Sequence, residues 1–303
     1  MAKVIAVFGA TGQQGGGVVT ALLKNKNFEV RAVTRNAKSD KAKALEKQGA
    51  NIVEGNLDNP KSLASVLSGC HGVFGMTNFD LLDADKEIQQ GKNLVDGCKA
   101  AGVKHLIFSG AHDIKGGVGK PCAFSDSKVD IANYMFASGV PSTNVRYLFF
   151  AENFIGGFGG GFKGLVQKDD KGTFVIAIPM EGKPMDYIVV SGAGNAIAAI
   201  FASPEAYIGK SIGISGDHIT VQEIADIFSK HLAPKTFKAG EVTAEQFSKS
   251  GQPGAEHYGA MFEYFQSGQA DIHLELTKQL DPTTMRFEDW VKANKDALNA
   301  IYQ

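Results

Sequence analysis

An α/β fold, a Rossmann-type doubly wound parallel sheet with a smaller, mostly helical C-terminal subdomain, is expected for these 303 residues. Short apolar runs rich in β-branched residues alternate with segments of helical period through the first half, the pattern of βαβ units. A glycine-rich turn directly follows the first such run, and beyond residue 153 the alternation stops. The expected division is therefore a sheet unit over residues 1–153 and a C-terminal subdomain over 154–303. The second completes and caps the sheet, the two being partly interleaved.

Strands are expected at 4–8, 30–33, 52–53, 73–76, 106–108 and 145–149. Asp58 or Asn59 ahead of Pro60 reads as a cap and first turn for a helix through Leu67. Residues 81–101 and 125–137 supply two longer helices, and 38–47 a shorter one. After Asn153 comes a glycine-phenylalanine stretch, then one more strand-like run at 173–178. Thr220 with Glu223 and Thr243 with Gln246 match the capping box, and Asp281-Pro282 turns the chain into a last helix over 287–301.

Composition removes several classes. With 31 basic and 32 acidic side chains the net charge is −1, which leaves no electrostatic footprint for nucleic acid or an anionic membrane. Cys70, Cys98 and Cys122 are odd in number and widely spaced, giving neither a disulfide framework nor a zinc site. A soluble protein of a reducing compartment is expected, in the cytoplasm or in cytoplasm and nucleus. None of the seven histidines has metal-ligand spacing. Tyr258, Phe262 and Phe265 have helical spacing and read as core or subunit contact.

The first strand runs into Gly9-Ala10-Thr11-Gly12-Gln13-Gln14-Gly15, a G-x-x-G-x-x-G spacing ahead of an apolar helix. Such a turn sets a pyrophosphate on a helix N-terminus. Gly9 allows the tight turn, Gly12 the approach of phosphate, and Gly15 the packing of helix on strand. Where an NAD binder places a carboxylate after the second strand, this chain has Thr34-Arg35-Asn36. A guanidinium can pair with a 2′-phosphate that a carboxylate would repel, so NADP(H) is the expected cofactor. Lys38 adds positive field, while Lys41 reads as part of a solvated helix face. Asn56 and Leu57 fall on the adenine side, and Thr77, Asn78 and Phe79 nearer the nicotinamide; Asn and Thr there also suit plain turns.

Those motifs, with Ser127-Lys128 and Phe150-Ala151-Glu152-Asn153, resemble the NmrA-like family of atypical short-chain dehydrogenases. The likeness extends over nearly the whole chain, through Pro184-Met185-Asp186, Gly251-Gln252-Pro253-Gly254 and Trp290. It implies an NADP(H)-binding domain with Lys128 on the nicotinamide ribose and Phe150 and Asn153 beside the cofactor. It also implies a redox-sensing role exercised through a homodimer or a protein partner.

Catalytic short-chain dehydrogenases donate a proton from a Tyr-x-x-x-Lys pair; here Phe124 stands four residues before Lys128, and a phenyl ring has no proton to give. Ser109 falls where a third catalytic member is expected, and Tyr134 and Tyr147 lack the spacing to replace the lost tyrosine. Ordinary carbonyl reduction is disfavoured. A quinone or similar small electrophile needs less acid assistance, which leaves an NADPH-dependent reductase with Lys128 at its centre as the alternative. For a sensor, a lone Lys128 ammonium would disfavour the cationic oxidised ring and bias the site toward NADPH. The stretch 154–162 is the expected moving part.

Overall fold

The computed structural model describes residues 2–80, 83–156 and 165–303. Its first half runs β1 (Lys3–Val7), α1 (Gln13–Leu23), β2 (Phe28–Thr34), α2 (Asp40–Lys47), β3 (Asn51–Glu54), α3 (Pro60–Leu67), β4 (Gly72–Gly75) and α4 (Ala84–Ala100). It continues through β5 (His105–Gly110), α5 (Ile114–Val118), α6 (Ala123–Ala137), β6 (Ser142–Arg146), β7 (Phe149–Phe150) and α7 (Asn153–Gly156). The second half runs β8 (Val166–Lys168), β9 (Phe174–Ile176), β10 (Met185–Ile188), α8 (Gly194–Ala202), α9 (Pro204–Tyr207), β11 (Ser211–Gly213) and β12 (Asp217–Ile219). It ends with α10 (Val221–His231), β13 (Phe237–Ala239), α11 (Ala244–Ser248), α12 (Ala255–Gln266), α13 (Leu274–Leu280), α14 (Phe287–Ala293) and α15 (Lys295–Ile301).

Seven strands form one parallel sheet in the order β11-β6-β5-β4-β1-β2-β3. Alternate residues of each strand serve opposite faces, as the two-residue side-chain period requires. Ile5, Val7, Phe74 and Ile107 pack with α1 and α8, while Ala6, Phe8, Val73, Leu106 and Phe108 pack with α3, α4 and α6. The strand order reverses between β1 and β4, and in such sheets ligands lie outside the carboxyl ends of the strands at that reversal.

The second half gives β11 to this sheet and α8 to its face. With β7 of the first half it also forms two three-stranded sheets, β12-β10-β7 and β13-β9-β8, around an aromatic core that includes Phe149, Phe154, Tyr187, Phe228 and Phe287. Where α8 crosses α1 the backbones touch. A Cβ on Gly17 would stand 2.2 Å from the Ser191 carbonyl oxygen, and one on Gly194 would stand 2.2 Å from that of Gly17.

Several boundaries differ from expectation. The run 145–149 divides after Arg146: β6 stays in the large sheet, while β7 pairs with β10 in another. A continuous apolar run carries no mark of the sheet each residue joins. The last helix is two, because Asn294 folds its side-chain amide onto the Trp290 carbonyl at 2.9 Å and closes α14. The helix expected from residue 81 begins at Ala84 behind an Asp83 cap; Leu81 and Leu82 lie outside the described residues, as do 157–162 of the expected moving part. Of that part, Phe154 is buried in the aromatic core.

Candidate functional site

The glycine turn leaves β1 with Gly9 at φ +65°, a left-handed conformation that glycine adopts without cost. A Cβ at Gly15 would stand 2.3 Å from the Gly9 carbonyl oxygen, so helix and turn touch there through backbone. Helix α1 starts at Gly12 without a side-chain cap. Its first amides therefore have no side-chain acceptor, a start suited to an anion. A cleft of about 840 Å³ opens over the ends of β1, β2, β3 and β4, with Gly9, Thr11 and Gly12 on its floor. Ala10 and Gln13 instead line a neighbouring depression of about 390 Å³ between α1 and α2. Gly15 is buried in the contact just described.

Arg35 and Asn36 border the outer end of the cleft, both exposed. No ion pair engages Arg35 among the described residues. Asn36 Oδ1 accepts from the Lys38 amide at 3.0 Å, and Lys38 is not among the cleft's walls. Lys41, expected on a solvated face, lines both cleft and depression. The cause is that α2 begins at Asp40, capped by Ser39, so Lys41 sits in its first turn. Asn56 and Leu57 line the cleft. The Asn56 carboxamide accepts from the Asp58 amide at 3.0 Å, a turn bond, and Leu57 packs on the core beneath.

At the other end a buried carboxylate organises the site, and sequence reasoning missed it. Helices α4 and α6 cross closely because Gly91 has no side chain: a Cβ there would stand 2.4 Å from Ile131 Cγ1. One turn back on each helix, this crossing brings Glu87 against Ser127 and Lys128. Glu87 is 1% exposed. Thr77 Oγ1 donates to its Oε1 at 2.7 Å, Ser127 Oγ donates to Oε2, and the Lys128 ammonium pairs with Oε1. Lys128 is therefore not the lone cation expected of it, and the Thr77 hydroxyl is already committed. Glu87 borders the cleft with Thr77, Asn78 and Phe79, whereas Lys128 is not among its walls. A signal existed in the sequence: Glu87 heads the stripe Gly91, Leu94, Val95, Cys98, where an apolar residue belongs.

The remaining positions expected to handle protons are spoken for. Ser109 Oγ donates to Gln14 Oε1 at 2.7 Å, tying the end of β5 to the glycine turn. Phe124 meets Phe79 edge-on at 6.0 Å and lies against Tyr258 at 4.8 Å. Burial raises the pKa of the Tyr258 and Tyr147 phenols above the usual tyrosine value, and the Tyr134 hydroxyl donates to Asp96 at 2.8 Å. Phe150 packs on Tyr147 at 5.7 Å, and Asn153 starts α7; neither lines the cleft. Glu152, between them, accepts from the Val190 and Ser191 amides, each at 3.0 Å, and so holds the Ser191 turn against α1. Among the described residues no group of His, Cys, Asp and Glu could hold a metal ion, and no helix is long and apolar enough to cross a membrane.

Fold and cleft together define a Rossmann protein whose turn, helix start and exposed guanidinium suit the phosphates of a dinucleotide. The chain belongs to the NmrA-like family, whose model matches residues 1–291. It is 30% identical to the NmrA-like family domain-containing oxidoreductase lnaB of Aspergillus flavus, over 93% of this chain and 91% of that one. Among solved structures it superposes on NmrA, a negative transcriptional regulator in complex with NADP, with a TM-score of 0.78 and 22% identity over 96% and 94% of the two chains. It also superposes on an NADPH-dependent quinone oxidoreductase of Escherichia coli complexed with NADPH, with a TM-score of 0.74 and 18% identity over 99% of both chains. Likeness at that identity shows the shared fold.

Proposed function

We propose that the cleft binds NADP(H) and that the protein acts as a sensor of cofactor state, passing it on through oligomer or partner contacts rather than turning over a carbonyl substrate. Arg35 supports the 2′-phosphate, with Lys41 beside it. Solved NmrA structures in complex with NAD and with NADP support a nicotinamide dinucleotide in this fold, and the choice of the phosphorylated form rests on Arg35. The observation that carries the regulatory reading is the engagement of the proton-handling positions. Phe124 has no hydroxyl, Ser109 gives its hydroxyl to Gln14, and Lys128 is neutralised by Glu87. When bound, the cofactor would supply a hydride donor or acceptor, and this chain sets no free acid beside it among the described residues.

A second reading, reduction of quinones or similar small electrophiles, is favoured by the half-buried aromatic row Phe79, Phe124 and Tyr258 beyond the cleft's inner end. One pair of experiments decides between them. Calorimetry with NADPH and NADP⁺ is expected to show binding, and NADPH absorbance with quinone, aldehyde and ketone acceptors is expected to stay flat. Fast, saturable oxidation with a quinone would transfer the conclusion to the reductase reading. For the sensor, size-exclusion profiles with and without NADPH are expected to differ.

A further inference from the structure

We propose that Glu87 determines which redox form of the dinucleotide the cleft prefers, by cancelling Lys128 and presenting the negative member of the pair to the nicotinamide end; this rests on the NADP(H) reading above. The two forms differ by one positive charge on the ring. A lone ammonium nearby disfavours the oxidised form, and a carboxylate favours it. A ligand-dependent switch needs differential affinity of this kind, because groups that meet both forms alike shift nothing. Arg35 is such a group, since the 2′-phosphate is common to both.

Two observations favour the carboxylate, while Lys128 is the more exposed member of the pair at 18% against 1%. Glu87 borders the cleft and Lys128 does not. Glu87 is 1% exposed, so little solvent screens its charge. Its ionised form is met by the Thr77 and Ser127 hydroxyls and by Lys128, all acting as donors. Those three donors come from the end of β4 and from α6, and the Gly91–Ile131 crossing fixes their approach to α4. The cleft should hold NADP⁺ at least as tightly as NADPH, the reverse of what a lone Lys128 would produce.

The test is a ratio of dissociation constants for NADP⁺ and NADPH, measured by calorimetry on the full chain. Glu87→Gln keeps an acceptor for the hydroxyls and uncovers Lys128; the ratio is expected to move about tenfold toward NADPH. Lys128→Met leaves the carboxylate alone and is expected to move it several-fold toward NADP⁺. Glu87→Asp, which retains the charge, is expected to return the ratio toward the parent value. Arg35→Ser is expected to weaken both forms and leave the ratio where it was. Equal weakening of both forms in Glu87→Gln marks a purely structural role and overturns the proposal. Should that variant not fold, an unmoved ratio in Lys128→Met does the same. Failure of the parent protein to bind either form overturns the NADP(H) reading itself, whereas binding with a ratio indifferent to these variants overturns only the role of Glu87.

Discussion

At the outer end of the cleft Arg35 is exposed, and no ion pair among the described residues engages it; at the inner end Glu87 is 1% exposed and holds three donors. The outer end is made of backbone and solvated cations: a helix start without a side-chain cap, Arg35, and Lys41 in the first turn of α2. Such groups gain most when an anion arrives, because nothing internal must be broken to free them. The inner end consists of side chains that satisfy one another across α4, α6 and the end of β4. A buried network of that kind is costly to leave half-made and resists rearrangement. The proposed function thus assigns affinity for a phosphorylated ligand to one end and electrostatic selectivity to the other.

The largest expected effect breaks the outer end. Gly15→Val places a side chain into the Gly9 carbonyl, 2.3 Å from where its Cβ would stand, so the turn must move. Overpacking of this kind costs about 1–3 kcal/mol in stability. NADPH affinity should fall by more than about a hundredfold in calorimetry, ~3 kcal/mol. The inner end is broken differently. Lys128→Met leaves Glu87 buried without its counter-charge, and with Lys128 18% exposed a loss of about 3 kcal/mol in urea denaturation is expected, the lower part of the range for such pairs. The double variant Glu87→Leu with Lys128→Met should recover most of it, giving a coupling energy from the cycle.

Acid should lower the stability of the sheet through two buried histidines, one at each end of β5. Burial and the Arg146 guanidinium hold His112, just past β5, down to about 3, and burial with the neighbouring His71 holds His105 down to about 4. Unfolding returns each toward the ordinary 6.5, so between these limits the unfolded chain binds more protons. Stability is then present above that range and is lost as pH falls through it, at most about 1.4 kcal/mol per pH unit per histidine. His112→Gln should flatten the slope of unfolding free energy between pH 6 and 4; an unchanged slope would remove His112 from this account. Arg35→Ser, by contrast, should leave the melting temperature in place while weakening NADPH by about 2 kcal/mol, roughly thirtyfold, without changing NADH affinity. Smallest is Lys41→Ala, about threefold to fivefold weaker for NADPH and less so at high salt, as befits a solvated charge.

The outer end was also the legible one. Gly9, Gly12 and Gly15 act on neighbours within the same turn, so their spacing in the chain carries their purpose, and Arg35 is placed by the strand that ends beside it. Phe124 was equally readable, since a missing hydroxyl is a fact of one residue. Glu87 was not: its partners Thr77, Ser127 and Lys128 lie 10, 40 and 41 positions away and meet only through the crossing at Gly91. Lys41 was misjudged because α2 begins two residues later than expected, which puts Lys41 in the first turn beside the cleft instead of in mid-helix. The split of 145–149 between two sheets was hidden because apolar residues look alike whichever core receives them.

The backbone contact of Gly17 with Ser191 and Gly194 makes the phosphate turn a joint possession of both halves of the chain. Helix α1, whose N-cap Gly12 borders the cleft, leans on a brace that ribosomal synthesis delivers only after nearly the whole sheet has been made. A nascent or truncated polypeptide ending ahead of Ser191 lacks that brace. On the proposed function, nucleotide capture belongs to the finished molecule, and a bound dinucleotide would report that its C-terminal half has docked.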